Sequence, residues 1–164
     1  MAPEHPGGSA ILKSVRSLVL SFVTLLTACA PAPQPVAQPR PDPATESWYS
    51  PAVEQLAALD RDAQRLIDSG KPDQAAAIIT QGQTLLNRLL AVPRPTLAAM
   101  EAASDLDDLY GRMLLGNRHY GWARLVFQKN LTRWKAWKPA TPETARRLKM
   151  AASEMAECDR HLSE

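Results

Sequence analysis

The chain has 164 residues, 45% of them hydrophobic but only 5% aromatic, and a formal net charge of +2. That length accommodates one domain with a linker, and an alanine-rich, aromatic-poor composition points to packed helices and away from a sheet-based fold. A net charge this small designates no anionic partner; what matters is its distribution along the chain.

Lys13 and Arg16 precede an apolar run from about Ser17 to Ala28. A membrane-spanning helix needs about 20 apolar residues, so the run is too short to cross a bilayer. It ends in Leu26-Thr27-Ala28-Cys29 and passes at once into a segment studded with Pro31, Pro33, Pro35, Pro39, Pro41 and Pro43. This order resembles a bacterial lipoprotein signal peptide with its lipobox, although Met1 to Gly8 carry Glu4 and no lysine or arginine. The resemblance implies a signal over residues 1–28, a diacylglyceryl group on Cys29, cleavage just before it and acylation of the new amine. It also implies attachment to the cell envelope. Ala30 stands where an aspartate would retain such proteins in the inner membrane, so the resemblance implies the outer membrane, facing the periplasm, in an organism that has one.

Residues 29–47, the lipidated cysteine and a proline-rich linker, have no periodic apolar pattern. Each proline fixes its own φ near the polyproline value, so the segment is expected to act as a semi-rigid spacer of about 40 to 50 Å. The domain is expected over 48–164, with Trp48 and Tyr49 folded back onto it.

Ser50-Pro51 reads as a helix start, and Val53, Leu56, Leu59, Ala63, Leu66 and Ile67 recur at helical spacing until Gly70. A second helix begins at Pro72, carries Ala75, Ile78, Ile79, Gly82, Leu85, Leu86 and Leu89 on one stripe, and stops at Pro93. The short link through Gly70 and Lys71 makes the two an antiparallel hairpin. Thr96 caps a third helix whose apolar face is Leu97, Met100, Ala103, Leu106, Tyr110, Met113 and Leu114, with Asp105, Asp107 and Asp108 expected toward solvent. Gly116-Asn117 breaks it. A fourth helix presents Tyr120, Ala123, Phe127, Leu131 and Trp134 and is closed by Pro139. Thr141-Pro142-Glu143 opens a fifth, expected to pack through Ala145, Leu148, Ala152, Met155 and Leu162.

Tyr110-Gly111, Leu114, Tyr120, Ala123, Phe127 and Leu131 resemble a tetratricopeptide repeat, in which a small residue lets two helices approach while aromatics fill the space around it. Ala63, Leu66, Gly70, Ala75 and Ile79 match more weakly. Asp107 stands where the family has tryptophan, Asn130 where it has alanine, and the spacing between matches exceeds the family's period. The expected fold is therefore all-α: antiparallel helical hairpins, either a tetratricopeptide-like array or a small bundle of about five helices.

Residues 44–111 hold five basic and ten acidic residues, whereas 112–149 hold ten basic and one acidic. Such segregation builds a basic surface unless the fold brings the two signs together. Within it, Arg133, Trp134, Lys135, Trp137 and Lys138 interleave cations with rings and are the interaction candidates. The alternative puts Trp134 in the core and leaves Trp137 as partial cover for lysine stems.

The sequence holds no nucleophile elbow, zinc-protease helix, phosphate loop or paired-cysteine metal spacing, so no catalytic residue, metal or cofactor is assigned. Asp105, Asp107 and Asp108 lack the glycine and distant glutamate of a calcium loop. His119 falls in an interhelical turn. Glu154, Cys158 and His161 share one stripe with zinc-type ligand atoms but lack a fourth ligand. With Cys29 taken by lipid, Cys158 is either buried or available to another chain. These features together lead to a lipid-anchored, non-enzymatic adaptor for an unidentified envelope protein, an accessory subunit of an assembly or secretion complex, with no nucleic acid or small-molecule substrate. The alternative is a binder of lipid headgroups or cell-wall polymer through the basic, tryptophan-containing region.

Overall fold

The structure is a computed structural model that describes residues 42–164. Leu26, Thr27, Ala28 and Cys29, with the spacer up to residue 41, lie outside the described residues. Among the described residues the fold is all-α, with five helices and no strand: α1 (Tyr49–Asp68), α2 (Pro72–Leu90), α3 (Leu97–Gly116), α4 (Tyr120–Ala136) and α5 (Pro142–Leu162).

Local chemistry sets most boundaries. At the end of α1, Gly70 adopts φ 72°, its N–H donates to the Ile67 carbonyl at 2.9 Å, and the Lys71 N–H donates to the Leu66 carbonyl at 2.8 Å. These are the two bonds that satisfy the last carbonyls of a helix when the chain turns left-handed, and glycine adopts that turn without steric cost. The Thr96 hydroxyl accepts from the Ala99 N–H at 3.3 Å and caps α3. Thr141 and Thr144 cap α5 reciprocally, at 3.1 and 2.8 Å.

The start of α1 differs from expectation. Its first residue is Tyr49 and no side chain caps it, so Ser50 lies exposed within the first turn. Burial of Tyr49 draws the chain into helix early: its ring is 2% exposed, its hydroxyl donates to the Leu89 carbonyl at 3.4 Å, and it accepts from the Thr96 N–H at 3.2 Å. Trp48 also folds back, with the Arg88 guanidinium 4.1 Å from its ring centre. Ahead of it a 3-10 turn at Pro43–Thr45 sets Ala44 against the core.

The helices pack in sequence rather than around one axis. α1 and α2 form the first hairpin, α3 lies against both, α4 pairs with α3, and α5 packs on α4. The larger apolar cluster joins α1, α2 and α3 through Leu56, Ala63, Ile79, Leu86, Leu89, Ala103 and Leu106. A smaller one joins α3, α4 and α5 through Leu114, Leu115, Ala123, Phe127, Met155 and Cys158. Two glycines permit close approaches. A Cβ on Gly111 would stand 2.5 Å from Cε1 of Phe127, and one on Gly82 would stand 2.6 Å from Cδ2 of Leu106.

α3 is therefore covered on more than one side, which corrects the reading of its acidic residues as solvated. Asp107 is fully buried and Asp105 and Asp108 are partly so. On α5 the inward stripe is Thr144, Leu148, Ala151, Met155 and Cys158, whereas Ala145, Ala152 and Leu162 are exposed. Alanines on both sides of that helix left its facing open by one position.

Candidate functional site

The two positions that depart from the repeat pattern, Asp107 and Asn130, meet in one buried polar network between α3 and α4. The Asp107 carboxylate accepts from Arg133 at 2.8 Å, from Lys129 at 3.1 Å and from Gln83 at 3.2 Å. Asn130 donates to the Ser104 carbonyl at 3.0 Å and its side-chain oxygen accepts from Arg133. The Trp134 indole N–H donates to the Ser104 hydroxyl at 2.8 Å. Every member has a partner, which a polar cluster withdrawn from water requires. The other end of the same interface is apolar, where Phe127 and Ala123 sit against Gly111 and Leu114.

This network decides what the basic segment presents. Arg133 and Trp134 are interior residues, the arginine side chain only 7% exposed and the tryptophan 3%. Lys135 and Lys138 are exposed and Trp137 is half-buried. Six of the ten cations between Arg112 and Lys149 are ion-paired: Arg112 with Asp108, Arg124 with Asp159, Lys129 and Arg133 with Asp107, Arg146 with Glu143, and Arg147 with Glu143 and Asp105. Three of the ten acidic residues between 44 and 111, Asp105, Asp107 and Asp108, supply partners, and Glu143 and Asp159 supply the rest. Among the described residues Arg118, Lys135, Lys138 and Lys149 have no carboxylate partner.

The repeat-packing candidates divide by depth. Gly111, Ala123 and Phe127 are buried, while Tyr110, Leu114 and Tyr120 are half-buried. Tyr120 stacks on His161 with ring centres 4.4 Å apart.

Glu154, Cys158 and His161 do not converge. Cys158 is fully buried in the small apolar cluster, where burial pushes its thiol up, and His161 is taken up by Tyr120 and by Glu157 at 3.3 Å. Glu154 turns to Asp108 instead. One of its carboxyl oxygens is buried and accepts from no donor, and burial pushes the group up to about 8, with the hydrogen bond to Asp108 adding to the shift and Arg112 opposing it. Burial thus favours the neutral form of this carboxyl, beside an Asp108 carboxylate paired with Arg112 at 2.9 Å. Among the described residues no three such side chains are placed to hold a metal ion, and no helix is long and apolar enough to cross a membrane. His119 is exposed at the start of α4.

The residues that sequence reasoning missed lie on the outer face of α4. Trp122 is 68% exposed and Leu125 is 54% exposed. They flank two shallow hollows, one of about 370 Å³ lined by Tyr110, Leu114, His119 and Trp122, the other of about 570 Å³ lined by Leu125, Gln128, Lys129, Thr132 and Arg133. The available signal was their position opposite the Ala123, Phe127 and Leu131 stripe, since large apolar residues on the polar side of a helix seek a partner. Comparison of the chain with protein-family models, curated proteins and solved structures gives no match.

Proposed function

We propose that this chain is a lipid-anchored adaptor of a bacterial cell envelope, held by acylated Cys29, lifted on its proline-rich spacer, and engaging another envelope protein through its helical body. It serves as an accessory subunit of an assembly or secretion complex and performs no reaction of its own. The observation that carries this reading is the inverted use of α4: Arg133 and Trp134 of its last turn are spent in the interior, while Trp122 and Leu125 stand in solvent. Apolar side chains displayed on a rigid helix suit a protein surface. A binder of headgroups or cell-wall polymer through this segment would instead display Arg133 and Trp134 beside the exposed Lys135 and Lys138.

Two measurements test it. Cys29→Ala is expected to release the protein from membranes or to leave an uncleaved precursor; normal processing with unchanged fractionation would remove the lipid anchor from the proposal. Cleavable crosslinking in the intact envelope is expected to give a discrete protein adduct that persists at high salt. Loss of all association as ionic strength rises, with retention on anionic vesicles at low salt, would favour the polymer or headgroup reading instead.

A further inference from the structure

We propose that the outer face of α4, from Trp122 to Lys129, with Arg118 in the turn that leads into it, is a docking strip for an acidic amphipathic segment of the partner protein. This rests on the adaptor reading and adds to it a surface and a chemistry.

Trp122, Leu125 and Lys129 are spaced by three and four residues along α4, which places them in one row, and Arg118 lies in the turn two residues ahead of the helix. All four are exposed, and the opposite side of the helix is filled by Ala123, Phe127 and Leu131. The two large apolar side chains therefore contribute nothing to the core and stand as a pair of anchors one helical turn apart. Hollows on either side leave room for the side chains of an incoming segment.

Charge selects the occupant. α4 contains no aspartate or glutamate. Arg118 has no carboxylate partner among the described residues. Lys129 reaches only Asp107, whose single charge is already bonded to Arg133 at 2.8 Å. An unpaired Arg118 thus precedes the anchors, and Lys129 follows them in a triad with Asp107 and Arg133 that carries one net positive charge, so a second copy of the same strip would oppose like charge to like. A segment with apolar residues on one side and carboxylates at its margins complements both features.

The backbone supplies an independent indication. The turn from α3 into α4 closes like the one after α1, with the Arg118 N–H donating to the Leu115 carbonyl at 3.0 Å and the His119 N–H to the Leu114 carbonyl at 2.9 Å. The left-handed position is filled by glycine in the first turn but by Arg118, at φ 61°, in the second. A residue with a Cβ is disfavoured there, so the chain keeps a strained arginine at the head of the strip.

The test places a photoreactive benzoylphenylalanine, one site at a time, at Leu125, at Thr80 on the exposed side of α2, and at Ile67, which with Leu109 and Met113 lines a separate hollow of about 360 Å³ between α1 and α3, in the full-length chain in its native envelope. An adduct from position 125 alone, whose crosslinked peptide is acidic and amphipathic, is the expected result. That peptide, synthesised and titrated against the purified chain, should bind about thirtyfold more weakly to W122A. It should bind about fivefold more weakly to R118G, with a shallower salt dependence, even though R118G melts at a higher temperature than the parent. Protein adducts from position 67 or 80 only would overturn the strip and leave the adaptor standing. Adducts from 125 to lipid, to a second copy or to a basic segment would overturn the partner chemistry. Absence of protein adducts at all three positions would overturn strip and adaptor together.

Discussion

The Arg133 guanidinium meets the Asp107 carboxylate at 2.8 Å across the interface of α3 and α4, with 7% of the arginine side chain and none of the aspartate exposed. Removing one partner from such a pair leaves a charge without compensation in the interior, which commonly costs about 3 to 5 kcal/mol. Lys129 still reaches Asp107, so Arg133→Met is expected to cost about 3 kcal/mol in urea denaturation. Replacing both as Asp107→Leu with Arg133→Met should recover most of that loss, and equal destabilisation by the single and double variants would contradict the pairing.

Gly111 and Gly82 both mark close helix approaches, yet their alanine variants should behave differently. At Gly111 the new Cβ would stand 2.5 and 2.7 Å from ring atoms of Phe127, a rigid side chain with no exposed edge to retreat to. Overpacking of about 2 to 3 kcal/mol then exceeds the gain of about 1 kcal/mol from replacing glycine in a helix. At Gly82 the obstacle is the methyl end of Leu106, which can rotate aside. G111A should lower the melting temperature by several degrees and G82A should leave it nearly unchanged; the reverse order would show that the Phe127 contact is loose.

The two left-handed turns give a paired prediction. Arg118→Gly relieves a conformation that costs an ordinary residue about 1 kcal/mol, and should raise the melting temperature by a few degrees. Gly70→Ala imposes the same cost on the first turn and should lower it by a similar amount. Thermal melts of the two single variants side by side are sufficient to check the opposition of sign.

Stability should fall as pH rises from about 5 to 9. Burial raises Glu154 from an ordinary 4.5 to about 8, and burial together with Asp105 raises Asp60 from 3.8 to about 6, Arg112 opposing both. The folded state therefore holds protons that the unfolded chain has released, so the contribution of these groups is complete below pH 4 and is lost as pH climbs through 6 and then 8. Glu143 works the other way: the Arg146 hydrogen bond holds it down to about 2, so its contribution is lost only in acid. Glu154→Gln keeps a donor toward Asp108 but removes the titration, and its melting temperature should stay flat between pH 6 and 9 where the parent's declines. Parallel curves for the two proteins would mean that Glu154 is already ionised.

How much of this was legible in the sequence depended on whether a feature is decided locally. Gly70, Pro72, Thr96 and Thr141 act on their own turns, so they announced the helix boundaries correctly. Periodicity was enough for α1 and α2, which each bury one stripe. It was insufficient for α3, which faces α1 and α2 on one side and α4 on the other, and so Asp107 was assigned to solvent when its partners lie 22 and 26 positions away, at Lys129 and Arg133. The same long-range pairing took Arg133 and Trp134 out of the surface on which their neighbours Lys135 and Lys138 remain. Trp122 lies opposite the periodic stripe of α4, and periodicity identifies a buried face without specifying what the other face displays. On α5 the alternation of alanines at 145, 151 and 152 offered no contrast by which to choose a face.

Tyr49 has a mechanical consequence. The hydroxyl that bonds to Leu89 and Thr96 fastens the first helical residue to the junction of α2 with α3. Traction arriving along the preceding segment is therefore delivered to the joint between the two hairpins, and does not begin by peeling α1 away from its end. Tyr49→Phe, which retains the ring and forfeits both bonds, converts that rivet into a simple plug, and pulling from the amino end in a force experiment should rupture the variant at lower load than the parent.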